Sequence, residues 1–400
     1  MKYLIKLVLT AFCLACMTES PAAEIGHDGL AFPQDSAATA VTVQDSLPEK
    51  KKNFFESFLQ YFRDANKNKQ HKKFDFSVIG GPHYSSAVGL GLGLMASGLY
   101  YPANDTLVPP SNVTLFGDVA TSGFCLIGVS GNNLFKGDRY RLNYKMYLYS
   151  FPTLFYGVGY ENGLDKDHKS SYKRFQSRMQ ATFLFRIAKA LFAGPQLSWD
   201  YVHGTNAEHP AYWNGQDMTI SSFSPGLSLT YDSRDNLTAP YKGIYVNVNQ
   251  RFFIKGLNKT YHFNSTDVTA NFYTPVWKGG VLATQLHGLF NYGGQVPWFQ
   301  MAMIGGNSSM RGYFEGRYRD KNMLDGQIEL RQHIWKRHGV VMWAGAANIF
   351  PETKAIRFKK TLPNFGFGYR WEFKKRVNIR LDYGFGRHIS GFLFNINEAF

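Results

Sequence analysis

From Lys73 to Phe400, apolar and polar residues alternate with a period of two, the repeat of an extended chain with one greasy face and one wet face. Phe365, Phe367, Tyr369, Trp371 and Phe373 share one side, and Gly366, Gly368, Arg370 and Glu372 share the other. The next segment sets Val377, Ile379, Leu381, Tyr383 and Phe385 against Asn378, Arg380, Asp382 and Gly384. Earlier, Tyr140, Leu142, Tyr144, Met146 and Leu148 alternate with Arg139, Arg141, Asn143 and Lys145, and Val88, Leu90, Leu92 and Leu94 alternate with Gly89, Gly91 and Gly93. Segments of this kind begin near 74, 87, 112, 123, 139, 173, 192, 220, 243, 263, 280, 323, 339, 363, 376 and 390, which predicts sixteen strands.

Divided sixteen ways, residues 73–400 leave about 20 per strand and connection, where roughly 9 to 11 cross a bilayer. The apolar faces are rich in Tyr, Phe and Trp near segment ends, as in the aromatic girdles of membrane barrels. An open sheet edge in lipid leaves backbone groups without partners, so the pattern predicts an all-β, transmembrane antiparallel β-barrel over 73–400. No repeat beyond the strand rhythm points to a solenoid or a propeller.

Upstream the pattern changes. Lys2 and Lys6 precede an apolar run from Leu7 to Met17 and then Ser20, Pro21, Ala22 and Ala23, so 1–23 reads as a cleaved signal peptide. A lipoprotein-type cut before Cys16 is the alternative. Residues 24–72 read as a flexible periplasmic segment. Within it Phe55, Phe58, Leu59 and Phe62 form one helical stripe beside Lys50, Lys51 and Lys52, predicting a short amphipathic helix at about 53–66. Whether that helix lies on the membrane, plugs the barrel mouth or packs on protein stays open.

Composition narrows the picture further. Aromatics make up 16% of the chain, yet its mean hydropathy is −0.27. Apolar residues are therefore diluted throughout, which argues against helical spans of about 20 consecutive apolar residues. The net charge of +15 ordinarily suggests nucleic acid, but the basic residues are scattered through strands of an exported chain. Outer-membrane lipids and a polar lumen suit them better, and no nucleic acid partner is expected. Cutting after Ala23 leaves Cys125 as the one cysteine, too few for a disulfide or a cysteine metal cluster. His388 lies near Ser390 and His333 near Glu329, but no nucleophile elbow, paired carboxylates or ligand spacing accompanies them. No enzyme activity, cofactor or metal is expected.

The longest interruption among the later strands, Gln295 to Asn322, contains Gly305, Gly306 and then Met310-Arg311-Gly312-Tyr313, followed by Arg317, Tyr318, Arg319 and Asp320. An arginine carried into a barrel lumen needs an acidic partner. Glu329, on the polar face of the following strand with Gln327, Arg331 and His333, is the candidate, with Asp325 and Asp382 as substitutes.

Met310-Arg311-Gly312-Tyr313 resembles the apolar-Arg-Gly-aromatic motif on the sixth external loop of the BamA/TamA-type outer-membrane protein superfamily, the bacterial surface antigen barrels. Tyr231-Asp232-Ser233-Arg234-Asp235-Asn236 with Pro240 and Lys242-Gly243, and Leu381-Asp382-Tyr383-Gly384-Phe385-Gly386, are similar to the same family. So is the closing strand, with Phe392, Phe394, Ile396 and Phe400 on one face like a C-terminal assembly signal. Four motifs in family order are more specific than any one of them.

The resemblance implies a short form without POTRA domains, an integral multi-pass protein of a Gram-negative-type outer membrane that assists assembly or insertion of proteins or lipids. A passive pore or structural barrel is the alternative. Its expected partners are lipids, unfolded outer-membrane clients and a separate periplasmic protein. Two departures stand out. The family's second acidic latch partner is missing from Val341-Met342-Trp343-Ala344-Gly345, and Glu398 interrupts the last apolar face. A snorkelling Glu398 or a loosely closed seam are the two expectations for the latter.

Overall fold

The computed structural model describes residues 74–85, 89–101, 111–374 and 376–400. The expected signal peptide 1–23, the segment 24–72 and its helix at about 53–66 lie outside the described residues. The first strands are β1 (Phe74–Ser85), β2 (Gly89–Tyr100), β3 (Ser111–Ala120), β4 (Cys125–Leu134), β5 (Tyr140–Phe155) and β6 (Ser170–Ala188). Then come β7 (Leu191–Thr205), β8 (Thr219–Asp232), β9 (Gly243–Phe253), β10 (Phe263–Trp277) and β11 (Gly280–Tyr292). Two short pieces, β12 (Ala302–Met303) and β13 (Arg319–Asp320), pair only with each other. The series closes with β14 (Asn322–Trp335), β15 (His338–Phe350), β16 (Leu362–Lys374), β17 (Val377–Gly386) and β18 (Ile389–Ile396).

Sixteen of these strands form one sheet in which each pairs with its sequence neighbour, β11 passing directly to β14. Every start expected from the alternation falls within 3 residues of an observed one, the widest gap being 173 against Ser170. Leu90, Leu92, Leu94, Leu227, Ile328, Met342, Phe365 and Phe367 point outward and are each at least half exposed. Residues of the opposite face, among them Gln327, Glu329, Arg370, Arg380 and Asp382, are buried. Apolar outside and charged inside is the reverse of a soluble sandwich, and it is stable only where the outer face meets hydrocarbon. The fold is therefore an all-β transmembrane barrel sheet. Its edge strands β1 and β18 face each other with Cα atoms within 8 Å, and among the described residues no ladder joins them.

Connections alternate between two ends. One end carries the long ones, 206–218, 254–262, 293–321, 351–361 and 156–169, the last holding the short helix α1 (Tyr160–Leu164). The other carries the two-residue turns 189–190, 278–279 and 336–337, the turn that holds Arg376, and the longer connections 135–139 and 233–242. The 293–321 loop folds into the interior. Val296, Trp298 and Phe299 pack with Phe155, Tyr172 and Trp213, and Met310, Tyr313 and Tyr318 pack with Ile349 and Leu362.

Candidate functional site

Four strands of one lumenal wall hold the tip of the long loop. Pairing registers align Glu329 on β14, Trp343 on β15, Gly366 on β16 and Gly384 on β17 in a single row. Alternation turns all four inward. With no side chain at Gly366, the Trp343 indole packs against it, where a Cβ would fall 2.3 Å from the ring. Trp343 Nε1 donates to Asn364 Oδ1 at 2.9 Å, which fixes the ring further.

Arg311 sits on this row, fully buried. Its guanidinium stands 3.6 Å from the Trp343 ring centroid and pairs with Glu329 at 2.6 Å and Asp382 at 2.8 Å. Gln327 Oε1 accepts a longer bond from it at 3.3 Å. The Arg311 carbonyl accepts from Asn364 Nδ2 at 2.7 Å. A planar, delocalised cation suits a site with an aromatic face below and carboxylates at its edges, which an ammonium group does not match. The carboxylates are shared in turn. Glu329 accepts from Arg331 at 2.7 Å, and Asp382 pairs with Arg370 at 2.6 Å and Arg380 at 3.5 Å. Such a network stabilises only while complete, since removing one member strands the others without water.

The residues flanking Arg311 dock the loop backbone. Met310 and Gly312 both have positive φ, 48° and 99°, and the turn they make presses the chain onto β17. Tyr313 lies against Gly386, donates to the Pro363 carbonyl at 2.7 Å and accepts from the Arg387 amide at 2.6 Å. Burial pushes its phenol up to about 12, and the Arg387 amide opposes that only in part. Beyond the tip, Arg317 donates to the Gly163 carbonyl at the end of α1 at 2.8 Å. Arg319 donates to the Trp298 carbonyl at 2.9 Å and lies 4.8 Å from the Phe155 ring centroid.

The structure thus brings together Met310, Arg311, Gly312, Tyr313, Glu329 and Asp382. Asp325 is placed elsewhere. Two steps along the same face of β14, on the order of 13 Å from Glu329, it pairs with His287 on β11 at 2.9 Å, which also reaches Asp267 at 3.5 Å.

Phe392, Phe394 and Ile396 pair with Tyr383, Leu381 and Ile379 on the outward face, but Phe400 does not follow them. Asn397 adopts a φ of 69°, so the chain reverses its alternation after β18. The Phe400 ring therefore lies 6.3 Å from that of the buried Tyr273, and its carbonyl accepts from Arg331 at 2.9 Å. The same reversal corrects the snorkelling expectation for Glu398. It turns inward to Arg370 at 2.8 Å, Arg331 at 3.8 Å and Asn378 at 2.6 Å. His333 donates to the Lys336 carbonyl at 2.8 Å, and Ser390 bonds the Tyr383 hydroxyl at 3.0 Å.

Sequence reading did not single out Trp343, Asn364 or Arg370. Trp343 stands in the segment noted for lacking an acid, and the signal lay in its position. It is an inward-facing aromatic directly across from Glu329.

Among solved structures, BamA from Haemophilus ducreyi lacking POTRA domains 1-3 matches with a TM-score of 0.54 at 13% identity, over 82% of this chain and 71% of that one. CdiB from Acinetobacter baumannii matches at 0.54 and 12%, over 82% and 60%, and CdiB from Escherichia coli at 0.53 and 12%, over 82% and 63%. This chain spans less than two thirds of either CdiB chain, and at these identities the likeness is one of fold. No curated protein matches the sequence. The Omp85 superfamily domain matches residues 131–400, well over half of the chain and inclusive of the long loop and every strand of the Arg311 site. The chain belongs to the Omp85 superfamily.

Proposed function

We propose that this barrel resides in the outer membrane of a Gram-negative-type bacterium, short turns toward the periplasm, and assists the assembly or insertion of proteins or lipids there. The observation that carries this reading is the pair of facing edges, β1 and β18, with no ladder between them among the described residues. A sheet edge that no ladder seals is a template for β-augmentation, and in lipid it also perturbs the surrounding bilayer. Fold likeness to BamA and CdiB structures supports the same class.

A passive pore is the second reading. The 293–321 loop speaks against large conductance, because its apolar and ionic contacts occupy the lumen beside β14–β17. In liposomes carrying the purified barrel, an unfolded outer-membrane client is expected to become protease-protected faster than in empty liposomes. Ion conductance without such acceleration would favour the pore. Acceleration only after adding a periplasmic extract would assign client delivery to a separate partner.

A further inference from the structure

The long turn 233–242 lies at the end that also carries the two-residue turns 189–190, 278–279 and 336–337, and its residues lie outside the Arg311 site. Its own side chains build it. Asp232 holds Arg234 through two bonds at 2.9 and 3.0 Å, and the Asp235 carboxylate accepts the Tyr241 and Lys242 amides at 2.9 and 3.2 Å. Asn236 Oδ1 accepts the Thr238 and Ala239 amides at 2.9 Å each. Gly243, with a φ of 115°, closes the turn where a Cβ would fall 2.5 Å from the Ser233 carbonyl. The turn is a stiff, preorganised object rather than slack chain.

Several of its contacts reach a distant part of the wall. Arg376, in the turn between β16 and β17, donates to the Ala239 carbonyl at 2.7 Å, pairs with Asp235 at 3.1 Å and lies 3.3 Å from the Tyr241 ring centroid. Thr238 Oγ1 donates to the Arg376 carbonyl at 2.6 Å, and the Glu398 amide donates to the Thr238 carbonyl at 3.3 Å. Along the wall β9 and β16 are separated by β10, β11, β14 and β15, so these contacts reach across the barrel's end instead of along it. Ala239 and Pro240 are buried and line a cavity with Arg331, Val341, Arg370 and Glu398.

We propose that residues 235–242 are a strap across the short-turn mouth of the barrel, hooked to the far wall by Arg376, and that it unhooks before anything passes between lumen and periplasm. Because Glu398 touches both the strap and Arg370, unhooking also releases the end of β18, the strand that borders the seam. The proposal concerns the mouth and does not depend on whether the barrel inserts clients.

The test places a reporter thiol beneath the strap, Val341→Cys in a Cys125→Ser background, and measures its reaction with a charged, membrane-impermeant thiol reagent in nanodiscs. Arg376→Ala is expected to raise the labelling rate about tenfold, equivalent to ~1.4 kcal/mol taken from the closed state. Arg376→Lys, which keeps the charge but loses the fork, is expected to raise it less. Thr238→Val supplies a second, milder break should Arg376→Ala fail to give a heat-modifiable barrel. Lys336→Ala, on another turn of the same end, is the control. Labelling unchanged in both strap variants, or raised equally by the control, would overturn the proposal.

Discussion

The main chain of Gly312 lies directly on the main chain of Gly384, with nothing between the long loop and the wall of β17. A Cβ on Gly384 would fall 2.0 Å from the Arg311 carbonyl, and one on Gly312 would fall 2.3 Å from the Gly384 carbonyl. Two stretches noted separately in the sequence, around Arg311 and around Asp382, are the two halves of one contact.

Gly384→Ala is therefore expected to undock the loop tip although it removes no interaction. Overpacking of this kind costs ~1–3 kcal/mol, and here the intruded atoms are backbone with little room to yield. Limited proteolysis between 305 and 316 checks it. Cleavage is expected in the variant under conditions where the parent resists, and equal resistance would show that the contact is looser than its geometry.

Removing the cation has a different signature. Arg311→Ala leaves Glu329 and Asp382 buried with fewer partners, a loss of ~3–5 kcal/mol for a broken buried pair. Arg311→Lys keeps the charge but gives up the fork and the stack on Trp343, and is expected to fall between the two. Unfolding midpoints in urea rank the series. A lysine variant as stable as the parent would mean that charge alone holds the loop.

Arg319 was the less obvious residue. In the sequence it only follows the motif, in a run with Arg317, Tyr318 and Asp320, and the structure buries its guanidinium between Trp298 and Phe155. Arg319→Ala is consequently expected to cost ~2–3 kcal/mol, from lost aromatic packing and one orphaned carbonyl. The same urea series measures it, and a shift within experimental error would show that this packing contributes little.

Strand number, strand starts and the polar face of the lumen were legible because alternation with period two is a local property, and each residue reports its own side. Pairing across the lumen was not. Glu329 was accessible because it lies close behind Arg311, but choosing between Asp325 and Asp382 required knowing which strands share the wall. Trp343 was invisible for a related reason. Its role depends on standing opposite Glu329 and over Gly366, a row built from three registers. Glu398 and Phe400 escaped because a single positive φ at Asn397 inverts the alternation on which the reading relied.

That inversion is itself testable. Glu398→Gln removes the charge that Arg370 and Arg331 share, whereas Phe394→Ala trims a side chain that faces outward from the same segment. Hydrogen exchange in β18 is expected to speed up markedly in Glu398→Gln and little in Phe394→Ala. The opposite order would place Glu398 outside the lumen.

The strap carries a pH dependence with a definite sign. Burial works to raise the Asp235 carboxyl, but the Tyr241 and Lys242 amides and the Arg376 guanidinium outweigh it and hold the group below its ordinary value of 3.8. A carboxylate depressed in the folded state adds stability that is fully present above its unfolded value and fades as pH falls through the folded one. The difference in thermal midpoint between parent and Arg376→Ala is therefore expected to stay constant from neutral pH down to 3.8 and to shrink only below it. A difference that faded already near neutral pH would mean that a group other than Asp235 sets the hold on Arg376.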